Sequence, residues 1–241
     1  MDQLLVALDV DTGQRAIDLA SALGNVAGGF KVGNRLFTLE GPDLVRTLVA
    51  SGARVFLDLK FHDIPNTVAQ AVDAAVQTGA WMLNVHASGG IPMMQAAVRS
   101  GREAAGRLRR PAPLLVAVTV LTSMDEATLR DTGIERSLMD QVVTLAKMAQ
   151  DAGLDGVVAS PQETASIRKA CGDRFLIVTP GIRGASAGVE RNDQRRTLGP
   201  AEAVRAGASY IVVGRPIIEA SDPRAAALGV AEDLASAGGR T

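Results

Sequence analysis

Residues 56–68 read FLDLKFHDIPNTV. The run from Val55 to Leu59 has strand character, yet it carries Asp58, is followed by Lys60, and meets Asp63 three residues later. Pro65 then opens a segment of helical spacing that reaches Thr78 and stops at Gly79, as expected when proline occupies a first helical turn and glycine closes the helix. The stretch reads as one strand–helix unit with charged residues at the strand's C-terminal end.

The same unit recurs along the chain in both directions. Eight short apolar runs, LLVALDV (4–10), GGFKVG (28–33), VFLDLK (55–60), WMLNVHA (81–87), LLVAVTVL (114–121), GVVAS (156–160), FLIVTPG (175–181) and YIVVGR (210–215), are nearly continuous in Val, Ile, Leu and Ala. Such runs suit parallel strands packed on both faces. Segments of helical spacing follow them: 14–23, 42–51, 65–78, 91–105, 137–152, 161–170, 200–206 and 222–237. Pro161 with Gly172 and Pro200 with Gly207 repeat the punctuation of Pro65 with Gly79. Eight strand–helix units in 241 residues predict an α/β fold, a single (β/α)8 TIM barrel. An open doubly wound sheet is the competing architecture. The count of eight and the lack of Gly-x-Gly-x-x-Gly after the first strand favour the barrel. No linker or shift in composition interrupts residues 1–241, which are expected to form one domain.

The composition narrows the function. The chain is 47% hydrophobic with a net charge of −1, so it has a sizeable core and no electrostatic reason to seek nucleic acid or an anionic membrane. Only 3% of residues are aromatic, too few for a platform on which bases would stack. Cys171 is the single cysteine, which precludes an intrachain disulfide and suits a reducing cytoplasm. MDQLLVALDV has no basic start and reaches Asp9 early, unlike a signal peptide, and Leu114 to Leu121 is too short to span a bilayer. A cytoplasmic protein is expected.

Barrel enzymes keep their chemistry at the C-terminal strand ends. Here those ends carry Asp9, Lys31, Asp58 with Lys60, His86, Thr119 or Ser123, Ser160, Pro180 with Arg183, and Gly214 with Arg215. Residues two apart on a strand face the same side, so Asp58 and Lys60 should be neighbours, their α-carbons about 6.6 Å apart at ~3.3 Å per residue. Leu57 and Leu59 then face the helices. Lys31 can reach the same mouth from the preceding strand. A lysine among carboxylates stays protonated, because opposite charges favour its charged form. His62 and His86 are the only histidines and are not spaced as a metal pair. Cys171 reads as packing. GASYIVVGRPI suits a phosphate, with the Gly214 backbone approaching the anion and Arg215 binding it bidentately. Residues 181–199, GIRGASAGVERNDQRRTLG, form a long polar loop of the kind that acts as a lid.

Taken together these segments resemble the orotidine 5′-phosphate decarboxylase family in its bacterial form. The D-x-K-x-x-D core is Asp58, Lys60 and Asp63, supported by ALDV, FKVG, NVHASGG, VTVLTS, VTPGIR, NDQRR and VVGRPI in order along the whole chain. The resemblance implies that Lys60 protonates C6 of the pyrimidine of orotidine 5′-monophosphate after carbon dioxide leaves. Lys31, Asp58, Lys60 and Asp63 would form an alternating charge network around the scissile carboxylate. Asp63 and Thr67 would reach into the neighbouring subunit of a homodimer. Asp9 and Lys31 would contact ribose hydroxyls, Ser123 the pyrimidine edge, Gln194 both base and phosphate from the lid, and Gly214 with Arg215 the phosphate, with Arg183 among the substrate-binding residues. The family uses no metal and no organic cofactor. After FKVG the chain departs from many relatives, with Asn34 and Arg35 where an acid is expected nearby. Decarboxylases of 3-keto-L-gulonate 6-phosphate and hexulose phosphate synthases share the D-x-K-x-x-D core. They resemble a pattern with magnesium and an acid on the second strand, where this chain has Lys31.

Overall fold

The computed structural model describes residues 2–181 and 198–238. Eight strands, β1 (Leu4–Ala7), β2 (Gly29–Gly33), β3 (Val55–Phe61), β4 (Met82–His86), β5 (Leu114–Val118), β6 (Gly156–Val158), β7 (Leu176–Pro180) and β8 (Tyr210–Val213), form a closed barrel in sequence order. Every neighbouring pair is parallel, and β8 returns to β1 through Leu5 opposite Val212. The expected (β/α)8 barrel is therefore the fold.

Period-two alternation explains how each strand serves two cores. Leu5 and Ala7 join Phe56, Met82, Val116, Val178 and Val212 inside the barrel. Leu4 and Val6, one position away, join Leu57, Leu83 and Val213 in the layer between strands and helices. Because both faces are packed, the runs show no polar alternation. Three groups close the foot of the barrel. Trp81 meets Tyr210 edge-on, with ring centres 5.3 Å apart, and the Arg54 guanidinium lies 5.0 Å from the centre of the Trp81 ring.

The helices fall between the strands. Pro65–Val76 begins on its proline, and Gly79 beyond it takes φ +85°, a left-handed value that glycine adopts without a Cβ penalty. Residues 161–170 differ from a plain helix. Ser160 caps a short 3-10 turn, Pro161–Glu163, through the Gln162 N–H, and the α-helix Thr164–Cys171 follows. Three further helices, Asn34–Glu40, Glu126–Asp131 and Arg215–Ile218, lie outside the eight expected helical segments. Arg35 extends from the first of these to pair with Asp11 at 2.6 Å in an exposed bridge.

Candidate active site

Three strands bring a line of alternating charge to the barrel's C-terminal mouth. Asp9 lies just past β1, Lys31 on β2, and Asp58 and Lys60 on β3. Lys31 Nζ lies 3.1 Å from Asp9 Oδ1 and 3.4 Å from Asp58 Oδ2, and Lys60 Nζ donates to Asp58 Oδ1 at 2.6 Å. Exposure varies along the line: the side chains of Asp9, Lys31, Asp58 and Lys60 are 56%, 13%, 11% and 31% exposed. The two inner charges are the most deeply placed, and Lys60 opens toward solvent. Gly33 leaves room for this arrangement, since a Cβ there would stand 3.1 Å from Lys31 Nζ.

Asp58 and Lys60 do meet, but not by simple alternation. Pairing of β3 with β4 runs Leu57 to Leu83 and then Phe61 to Val85, so three residues of β3 stand opposite Asn84 alone. Lys60 absorbs the irregularity with φ +53°; it and Arg109 are the non-glycine residues of left-handed φ among the described residues. Such a conformation costs about 1–3 kcal/mol and persists where the surroundings over-determine it.

Asn84 is part of those surroundings, and the sequence reading missed it. It is fully buried. Its Oδ1 accepts the Lys60 main-chain N–H at 2.8 Å, and its Nδ2 donates to Asp58 Oδ1 at 2.6 Å. The available signal was a lone polar residue inside the apolar run WMLNVHA, two positions before His86 and so on the same face.

The electrostatics follow from these contacts. Burial pushes the Asp58 carboxyl up, but Lys31, then Lys60, then the hydrogen bonds from Lys60 and Asn84 together hold it below its ordinary 3.8. Asp58 is an anion pinned between two cations. His86 sits 5.3 Å from His62, ring centre to ring centre. Burial, then His62 and Lys60, lower His86 from 6.5 against the opposing pull of Asp58, which favours the neutral ring.

The charged line forms one wall of a cavity of about 410 Å³ whose other walls include Ser123, Gly214 and Arg215, with Phe56, Val158 and Val212 as an apolar floor. Asp9, Lys31, Asp58, Lys60, Ser123, Gly214 and Arg215 thus come together as the strand-end pattern expects. Asp63 and Thr67 do not join them within one chain. Both are exposed on the segment leaving β3, outside the cavity lining, and Asp63 Oδ1 accepts the Ile64 N–H at 2.6 Å. Arg183 and Gln194, with the expected lid, lie outside the described residues. Ser160 is buried at its helix cap and Thr119 donates to the Val158 carbonyl at 3.1 Å, so both serve the fold. Cys171 is buried, and burial pushes its thiol up, away from the reactive thiolate. A larger hollow of about 720 Å³ lies between Leu114, Gln150, Asp155, Cys171 and Arg174. Two of its polar groups are already engaged, Asp155 by the Leu115 N–H and Gln150 by the Cys171 carbonyl. Among the described residues no group of three or more His, Cys, Asp or Glu is assembled to hold a metal ion.

The cavity can hold an anionic ligand of nucleotide size, with an ammonium at one end of a fixed charge array and an arginine on another wall. Comparisons with known proteins show the family of the chain. The sequence model of the family described as "Orotidine 5'-phosphate decarboxylase / HUMPS family" matches residues 2–230. A curated orotidine 5′-phosphate decarboxylase of Moorella thermoacetica is 55% identical, covering 97% of this chain and 92% of that one. One from Syntrophotalea carbinolica is 50% identical, covering 98% and 96%. Among solved structures, orotidine 5′-phosphate decarboxylase from Lactobacillus acidophilus superposes with a TM-score of 0.84 at 39% identity, covering 96% of this chain and 98% of that one.

Proposed function

The chain belongs to the orotidine 5′-phosphate decarboxylase / HUMPS family, and from that premise we infer that it is a carboxy-lyase of pyrimidine biosynthesis, converting orotidine 5′-monophosphate to UMP and carbon dioxide. The observation that carries the reading to individual residues is the Lys31–Asp58–Lys60 array, in which an ammonium is held at 2.6 Å by a buried carboxylate at the edge of the cavity.

In the proposed mechanism the bond from C6 to the carboxylate breaks heterolytically. Carbon dioxide leaves and the electron pair stays on C6. That carbanion has little resonance relief, so a preorganised positive charge aimed at C6 is the main catalytic resource. Lys60 supplies the charge and then the proton: its N–H bond breaks, the C6–H bond forms, and the amine regains a proton from water. Asp58 holds and aims the ammonium, and Lys31, on the other oxygen of that carboxylate, anchors Asp58. Asp63, brought from a partner subunit, completes the network against the substrate carboxylate.

Substrate groups remote from C6 are assigned as follows. Asp9 and Lys31 hold the ribose hydroxyls, Ser123 the pyrimidine edge, and Gly214 and Arg215 the phosphate. Thr67 contributes from the partner, and Arg183 and Gln194 complete the set of substrate contacts. Binding energy from the phosphate then serves to orient the ring. A homodimer is supported by the continuous exposure of residues 62–67, including Ile64 at 67%. A single cysteine supports a reducing cytoplasm, and no described helix is long and apolar enough to cross a membrane.

The test is loss of the orotate chromophore from orotidine 5′-monophosphate, followed by ultraviolet absorbance with and without EDTA. Rapid loss indifferent to EDTA is expected. No loss from a folded protein, or turnover of a keto-sugar phosphate that EDTA abolishes, would overturn the reading.

A further inference from the structure

We propose that Asn84 is a positioning residue for the decarboxylation, its amide bridging the Lys60 main chain to the Asp58 carboxylate and so fixing where the Lys60 ammonium points. The assignment rests on the functional reading above. Its basis is the slip in register, which sets residues 58–60 opposite Asn84 alone. The regular ladder is interrupted at Lys60, and the side-chain Oδ1 of Asn84 takes its N–H at 2.8 Å. That bond holds Lys60 at φ +53°. The other half of the amide reaches Asp58 Oδ1 at 2.6 Å, the same oxygen that Lys60 Nζ grips at 2.6 Å.

The Asn84 amide offers an acceptor to one partner and a donor to the other. A main-chain N–H can only donate and a carboxylate can only accept, so the orientation of the Asn84 side chain is dictated by chemistry. A carboxylate at 84 would accept from Lys60 but repel Asp58, and an apolar residue would do neither. Asn84 is 0% exposed, so water has no access to replace it. It does not line the cavity and acts through Asp58 and Lys60.

Two variants test the assignment. Asn84→Leu is expected to lower kcat on the order of a hundredfold through displacement of the ammonium, while KM stays within about threefold. In the same variant the Asp58 titration, followed by 13Cγ NMR of aspartate-labelled protein, moves upward from its wild-type position. Asn84→Asp keeps the size and the acceptor for Lys60. Its new carboxylate faces Asp58, with Lys31 and Lys60 beside the pair and His86 and His62 beyond. Two carboxylates sharing one site retain a proton well above the usual range. Activity of Asn84→Asp therefore recovers as pH falls and that shared proton restores a donor, which the wild type does not show. If Asn84→Leu fails to fold, Asn84→Asp decides alone. Wild-type kcat and pH profile in the variants that fold, or an Asp58 titration that does not move, would overturn the proposal. So would a joint collapse of kcat, KM and melting temperature with no acid recovery, which marks a purely structural residue. If the wild type itself does not turn over orotidine 5′-monophosphate, the functional reading fails separately, and the NMR titration still decides the contact.

Discussion

Lys60 is the residue on which sequence and geometry part company. The D-x-K spacing places its ammonium near Asp58, as observed, but nothing in the letters reveals a left-handed lysine. Replacing it separates two effects. Lys60→Ala is expected to lose nearly all turnover while retaining much of the nucleotide binding, read by single-turnover assay and calorimetry; an active variant would exclude Lys60 as the proton donor. Lys60→Gly is expected to melt higher than Lys60→Ala, by the equivalent of about 1 kcal/mol, because glycine adopts φ +53° without steric cost. Arg215→Ala should chiefly raise KM, as its proposed role at the phosphate requires. Protons act at the same scale. The folded pKa values of Asp58 and His86 are both lowered, from 3.8 and 6.5, so the unfolded chain takes up these protons first. Each group's contribution to stability is complete above its unfolded pKa and fades as pH falls toward the folded one. A melting-temperature profile should decline first below pH 6.5 and again below 3.8, and His86→Gln should remove the first decline.

At the scale of elements, the strands were legible and the irregularities were not. Each strand in a barrel buried on both faces must be apolar on both faces, so the eight runs stand out from their surroundings. The helices opened by Pro65 and Pro200 were legible because their ends carry chemical punctuation. Asn34–Glu40 was missed because it starts directly after β2, with Gly33 as its cap and no side chain capping it. The slip between β3 and β4 was missed for a different reason: register is a relation between two strands, and neither sequence alone encodes it. Asn84 was hidden by the same fact. The floor of the site is a property of elements too. Phe56, 2% exposed, fills the barrel beneath the charged layer. Phe56→Ala should destabilise the fold by about 3–5 kcal/mol, measured by denaturant unfolding, with a loss of kcat/KM as the floor under Lys31 and Asp58 relaxes.

For the whole molecule, one chain carries the inner three charges of the site and leaves Asp63 and Thr67 exposed on the segment leaving β3. If the working unit is a dimer with composite sites, two defective chains can repair each other. Lys60→Ala and Asp63→Ala, each inactive alone, should regain roughly a quarter of wild-type turnover after random reassociation in equal amounts, because half the dimers are mixed and each holds one intact site. No recovery, with mixing verified by mass spectrometry, would mean that Asp63 serves its own chain. Asp63 and Thr67 were assigned to the neighbouring subunit through the family resemblance alone, since a partner's surface is not written in local pattern. The foot of the barrel carries a practical consequence of its own. Trp81 and Tyr210 are the chain's only tryptophan and only tyrosine, and they contact each other at the end opposite the charged mouth. Ultraviolet-excited emission therefore reports on the closed base. It should change on global melting yet stay nearly constant when a nucleotide occupies the cavity, so ligand titrations will need an indole introduced at the rim.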